Sequence, residues 1–105
     1  MPIPATLTLD AYVVDTLLPD LVGHDRQPSA FIVYLALWRL TDGGRTSAAV
    51  SLRTLAESTG LSKRAVQTAL QSLVGRRRLV TVARESATAV PEYTLLRPWA
   101  TRRRG

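Results

Sequence analysis

A chain of 105 residues suffices for one hydrophobic core and is too short for a large enzyme cleft plus a second domain. A hydrophobic content of 46% excludes disorder, no apolar run approaches the roughly 18 residues of a transmembrane helix, and the absence of cysteine excludes a disulfide framework or thiolate metal site. The formal charge of +6 is lopsided: residues 1–50 hold three basic against five acidic groups, net −2, while residues 51–105 hold eleven against three, net +8.

The opening "MPIPATLTLDAYVV" lacks the basic n-region and small-residue cleavage pattern of a signal peptide, so a soluble, cytoplasmic protein is expected. After a brief alternation from Thr6 to Leu9, apolar residues at Leu9, Tyr12, Val13, Leu17, Leu18 and Leu21 predict a helix. It runs from Asp10, its N-cap, to about Leu18, where Pro19 breaks it. "GHDRQPS" reads as a polar connector. Ser29 then caps "AFIVYLALWRLTD", a core helix in which Phe31, Ile32, Leu35, Leu37, Trp38 and Leu40 can be buried on almost every side. "GGRTSAAVS" turns the chain, with one short strand expected within Ser47 to Val50.

Residues 51–73, "SLRTLAESTGLSKRAVQTALQSL", read as helix, turn, helix. Ser51 caps the first helix, and Leu52, Leu55 and Ala56 take the i, i+3, i+4 spacing of one buried face. Gly60 supplies the left-handed conformation of a sharp turn, and Leu61 closes the corner. Ser62 caps a second helix ending near Gly75. Its inner stripe is Ala65, Val66, Ala69, Leu70 and Leu73; its outer face carries Lys63, Arg64, Gln67, Thr68 and Gln71. "RLVTVA" and "PEYTLL" alternate as two strands joined by the polar "RESATAV", and "RPWATRRRG" is a charged tail expected to fray.

A small residue at Ala56, glycine at Gly60, and apolar Leu61 and Val66 beneath them set two helices at a steep angle, with the outer face of the second free to project. The segment resembles a helix-turn-helix DNA-binding unit. With the hairpin, residues 29–96 are similar to a winged helix, as in bacterial winged-helix regulators and the amino-terminal domains of phage and plasmid replication initiators. The resemblance implies a mainly α fold with a small β-hairpin: an N-terminal helical extension (1–28), a winged helix-turn-helix domain with a three-helix core (29–96) and a basic tail (97–105). One departure stands out, because such domains often carry glycine before an apolar pair like Leu79-Val80, and here Arg78 occupies that place. Either the helix ends sooner, near Gly75, or Arg78 adopts a left-handed conformation at roughly 1 kcal/mol.

The positive half of the chain suits a polyanion, nucleic acid or in competition an anionic membrane surface, and the resemblance favours double-stranded DNA. It implies sequence-specific binding by a transcriptional regulator, with recognition helix 62–75 in the major groove. A replication-initiator or plasmid-maintenance role, and a winged-helix protein-interaction module without nucleic acid, are the alternatives. On this reading Ser62 heads the recognition helix. Arg64 and Gln67 suit bidentate contacts to guanine and adenine, Lys63 and Thr68 suit base or phosphate, and Gln71 continues the face. Ser51 and Arg53 would position backbone phosphates at a helix N-terminus, and Arg84 would reach a flanking minor groove or phosphate from the wing.

Several conspicuous residues have ordinary readings. Arg76, Arg77 and Arg78 suit a helix C-terminus whatever they bind, and Arg102, Arg103 and Arg104 form either a nonspecific DNA arm or a solubilising tail. Trp38 and Trp99 are expected in the core and in tail docking, and Tyr93 in packing. His24, the one histidine, is expected to face solvent beside Asp25, and no triad or metal set can be assembled around it. "TDGGRTS" lacks the Lys-Ser/Thr ending of a phosphate-cradling loop. No enzyme activity, cofactor or small-molecule ligand is expected. The apolar extension around Tyr12, Val13, Leu17, Leu18 and Leu21 either forms a homodimer interface or completes the monomer core.

Overall fold

The computed structural model describes residues 5–101. The chain becomes helical just after Asp10, whose carbonyl accepts from Val13 N at 3.0 Å. Two loosely wound stretches follow, Val13–Leu17 and Pro19–His24, in which an amide reaches the carbonyl five residues back, as Asp25 N does to Asp20 O at 2.7 Å. Pro19 therefore does not end the helical path: Leu18 keeps a helical backbone at φ −58°, ψ −57°, and Pro19 opens the second stretch. A proline ring clashes with the carbonyl four residues back in a regular α-helix, and the wider turn relieves that contact. The polar connector shrinks to residues 25–27.

Helix α1, Pro28–Leu40, begins two residues earlier than expected. Pro28 occupies its first turn with φ already set, Gln27 stands at the cap without a side-chain bond, and Ser29 lies inside the helix. Ala30, Phe31, Val33, Tyr34, Leu37 and Trp38 are buried, whereas Ile32 and Leu40 are each 38% exposed. The core helix thus keeps a solvent face that its sequence conceals. Asp42, Gly43 and Gly44 then take three successive positive φ values, and a Cβ on Gly44 would sit 3.1 Å from the Leu95 carbonyl, so the chain doubles back tightly there.

Next come β1 (Ala48–Ala49), α2 (Leu52–Thr59) and α3 (Lys63–Gln71), followed by a loose turn at Ser72–Arg76. Strands β2 (Val80–Ala83) and β3 (Glu92–Leu95) form the hairpin, and a short helix α4 (Pro98–Thr101) ends the described chain. The sheet is antiparallel in the order β1-β3-β2, with Ala48 opposite Tyr93 and Val80 opposite Leu95. Along β3 the pleat buries Tyr93 and Leu95 and leaves Glu92 and Thr94 outside. Both readings of the helix-to-hairpin join are realised together: α-helical bonding stops at Gln71, the coil loosens through Arg76, and Arg78 is left-handed at φ 55°.

Helices α1, α2 and α3 pack on one another, and the N-terminal segment packs on α1. Val13, Leu17 and Leu21 are 0–2% exposed, so three of the five residues considered for a dimer interface lie inside the monomer core. The two ends of the described chain are clasped. The Asp10 carboxylate accepts from Arg97 Nε at 2.8 Å and Trp99 Nε1 at 2.9 Å, and Tyr12 stacks on Trp99 at 4.5 Å. Trp38 Nε1 donates to the Thr8 carbonyl and Tyr34 OH to the Leu96 carbonyl. Trp99 therefore docks as expected, and with Arg97 it holds the start of the tail in place where fraying was expected; Arg102, Arg103 and Arg104 lie outside the described residues. No described helix is long and apolar enough to cross a membrane.

Candidate nucleic-acid interface

The α2–turn–α3 unit is set by local chemistry. Ser51 Oγ accepts the Thr54 amide at 3.1 Å, and Ser62 Oγ accepts the Ala65 amide at 3.0 Å, so each serine satisfies one orphan donor at a helix start. Gly60 ends α2 at φ 80°, its amide bonded to the Ala56 carbonyl at 2.9 Å. No atom lies within 4 Å of where its Cβ would be, so glycine is required there by backbone conformation and not by crowding. Thr59 adds a feature absent from the sequence reading: its hydroxyl donates to the Leu55 carbonyl at 2.7 Å and accepts from Leu61 N at 3.2 Å, fastening the turn from within. A Thr-Gly pair at a helix end was the available signal.

Val66, Ala69 and Leu70 of α3 enter the core, with Leu73 one turn beyond. The opposite side of the same cylinder presents Lys63, Arg64, Gln67, Thr68 and Gln71, all exposed. Among the described residues none of these five side chains makes a hydrogen bond or ion pair, and the face contains no acid. Two cations, two amides and a hydroxyl therefore stand free along one helix face, ready to exchange water for other polar partners.

The remaining expected site residues are placed differently. Ser51 is half-buried with its hydroxyl engaged in the cap, and Ser62, though exposed, is likewise a cap. Arg53 Nε pairs with Glu57 Oε2 at 3.4 Å, an exposed contact one helical turn apart that holds the side chain only weakly. Arg84 lies at the outer end of β2 with Nη1 on the Ala87 carbonyl at 3.2 Å, folded against the hairpin tip. Nearby Tyr93 has its phenol pushed to higher pKa by burial, with the Arg84 charge acting in the opposite sense.

The arginine run divides. Arg77 turns inward, Nη2 at 3.4 Å from Asp20 Oδ2 and Nη1 at 3.6 Å from Asp25 Oδ2, while Arg76 and Arg78 are exposed. His24 faces solvent as expected, its Nδ1 3.2 Å from Asp25 Oδ1.

Residues 27–77 match the family described as "Helix-turn-helix domain". This part of the chain is a helix-turn-helix domain. The match begins one residue before α1 and ends at the inward-turned Arg77, so it takes in α1, α2, α3 and the turn between them. With β1, β2 and β3 completing a small antiparallel sheet, the helix-turn-helix domain has the winged form. No curated protein and no solved structure matches the chain. A helix-turn-helix domain points to double-stranded DNA as the partner and is typically non-enzymatic.

Proposed function

We propose that the domain binds duplex DNA sequence-specifically and acts as a transcriptional regulator, with α3 as its recognition helix. The observation that carries this reading is the free outer face of α3. Lys63, Arg64, Gln67, Thr68 and Gln71 are exposed and unpaired among the described residues, at the one place where a helix-turn-helix geometry presents side chains to a major groove. Arg64 and Gln67 have the forked donor and acceptor patterns that distinguish guanine and adenine edges. Lys63 at the helix start and Arg53 on α2 suit phosphates, and Arg84 suits the flanking backbone beside the wing. Affinity then comes from counterion release and selectivity from the base-facing side chains.

The test is fluorescence anisotropy of a labelled mixed-sequence duplex titrated with the protein at several salt concentrations. Binding that weakens steeply with salt is expected, followed by selection of a preferred site. Absence of binding at low salt overturns the proposal and leaves the α3 face to a protein partner.

A further inference from the structure

A second group of arginines lies in the chain around the ion pair beyond the end of α3. The Arg77–Asp25 ion pair pins the loop before α1 against the turn after α3, and three more arginines flank that pair in the chain: Arg26 follows Asp25, and Arg76 and Arg78 bracket Arg77. All three are exposed, and among the described residues none has a hydrogen bond or ion pair from its side chain. The buried Asp25 carboxylate and the half-exposed Asp20 both pair with Arg77, so four guanidiniums against two carboxylates leave a local charge of +2.

The backbone adds an independent observation. Of the three non-glycine residues at positive φ among the described residues, two are Arg26 at 56° and Arg78 at 55°, on either side of the same ion pair. Glycine would adopt both conformations without the steric penalty that a Cβ incurs, so the fold alone gives no reason for arginine at either position. Strained residues that also carry exposed, unpartnered functional groups are characteristic of binding sites.

We propose that Arg26, Arg76 and Arg78 form a second phosphodiester-binding surface. The guanidinium fork matches phosphate oxygens in bidentate fashion. Apart from His24, residues 24–26 and 75–78 are charged or glycine, and arginines of one sign grouped without apolar side chains between them suit a repeating phosphate backbone. Lys63 to Arg76 spans roughly 20 Å of helix, so a duplex docked on the start of α3 leaves this surface free. Its phosphates come either from the flank of the same duplex, bent back, or from a second duplex. The identification of the first surface rests on the DNA-binding reading above; the charge of the second does not.

The experiment compares the full chain with Arg26→Gly/Arg76→Gln/Arg78→Gly and with Lys63→Ala/Arg64→Ala. Glycine at the two left-handed positions removes charge without adding strain, and thermal melting checks that the fold is kept. Anisotropy is read on a short duplex carrying the preferred site and on one extended by about two helical turns, and energy transfer is read between donor- and acceptor-labelled short duplexes. Tighter binding to the extended duplex identifies a bent flank, and energy transfer identifies a second duplex. The triple variant is expected to lose about tenfold of that gain, or the transfer, and to lower the salt slope by about two to three, with short-duplex affinity held within about twofold. A triple variant indistinguishable from the parent, or a parent showing neither gain nor transfer, overturns the proposal. Binding that ignores Lys63 and Arg64 but needs the three arginines overturns the recognition-helix reading alone.

Discussion

Single side chains of α3 act by position on the cylinder. Replacing Arg64 or Gln67 by alanine is expected to lower affinity for the preferred site by about 1–3 kcal/mol and to relax selectivity at one base pair, measured by competition with single-base variants. Lys63→Ala is expected to weaken all sequences alike and to reduce the salt slope by about one. Ser62→Ala keeps the face but removes its cap, so a stability loss of about 1 kcal/mol in denaturant unfolding is the expected outcome. A different chemistry applies to Tyr34, a core residue whose hydroxyl donates to the Leu96 carbonyl at 2.8 Å. Burial pushes its phenol well above the ordinary 10.0, with the Arg97 charge opposing that shift and Asp10 reinforcing it. The folded state therefore keeps a proton that the unfolded chain releases, and stability is expected to fall as pH rises above about 10. Tyr34→Phe should flatten that alkaline slope while lowering stability near neutral pH by about 1 kcal/mol, both read from melts across pH.

At the scale of elements, the turn between α2 and α3 and the wide turns elsewhere differ in how far they can be anticipated. Gly60 and the two serine caps are local: a left-handed residue and two short hydroxyls do the same work in any surroundings. Gly60→Ala places a Cβ at φ 80° and is expected to cost about 1 kcal/mol or more, with circular dichroism showing retained helix before the melt. The loosened stretches at Val13–Leu17, Pro19–His24 and Ser72–Arg76 are not local in this sense. Pro19 reads as a stop because proline removes an amide and crowds the carbonyl behind it; the chain instead widens, since Leu17 and Leu21 on either side are both buried. Ile32 and Leu40 show the reverse case, apolar residues on α1 that no neighbouring element covers.

For the whole molecule, the decisive feature is that the N-terminal segment belongs to the same core as the helix-turn-helix domain. Leu17→Ala or Leu21→Ala is expected to cost about 2–5 kcal/mol in denaturant unfolding, the range for truncating a fully buried leucine. If these leucines instead joined two copies, the variants would change sedimentation behaviour with little loss of monomer stability. The Asp10 clasp belongs to this scale as well, because it joins residues 87 and 89 positions apart in the chain. So does the pairing of Arg77 with Asp20 and Asp25, which ties the end of the helix-turn-helix unit to the N-terminal segment.

The division between what was legible and what was not follows from the range of the interactions. Periodicity, caps and a turn glycine act over four residues or fewer, so α2, the turn, α3 and its outward face of Lys63, Arg64, Gln67, Thr68 and Gln71 could be read from sequence by itself, as could the hairpin. The lopsided charge likewise pointed to a polyanion before any fold was known. Which way an arginine turns is set by carboxylates far away in the chain, and which apolar face is covered is set by what packs over it. Only the tertiary structure could send Arg77 inward, leave Arg26, Arg76 and Arg78 outside, place Val13, Leu17 and Leu21 in the core, and give the docked Trp99 Tyr12 and Asp10 as its partners.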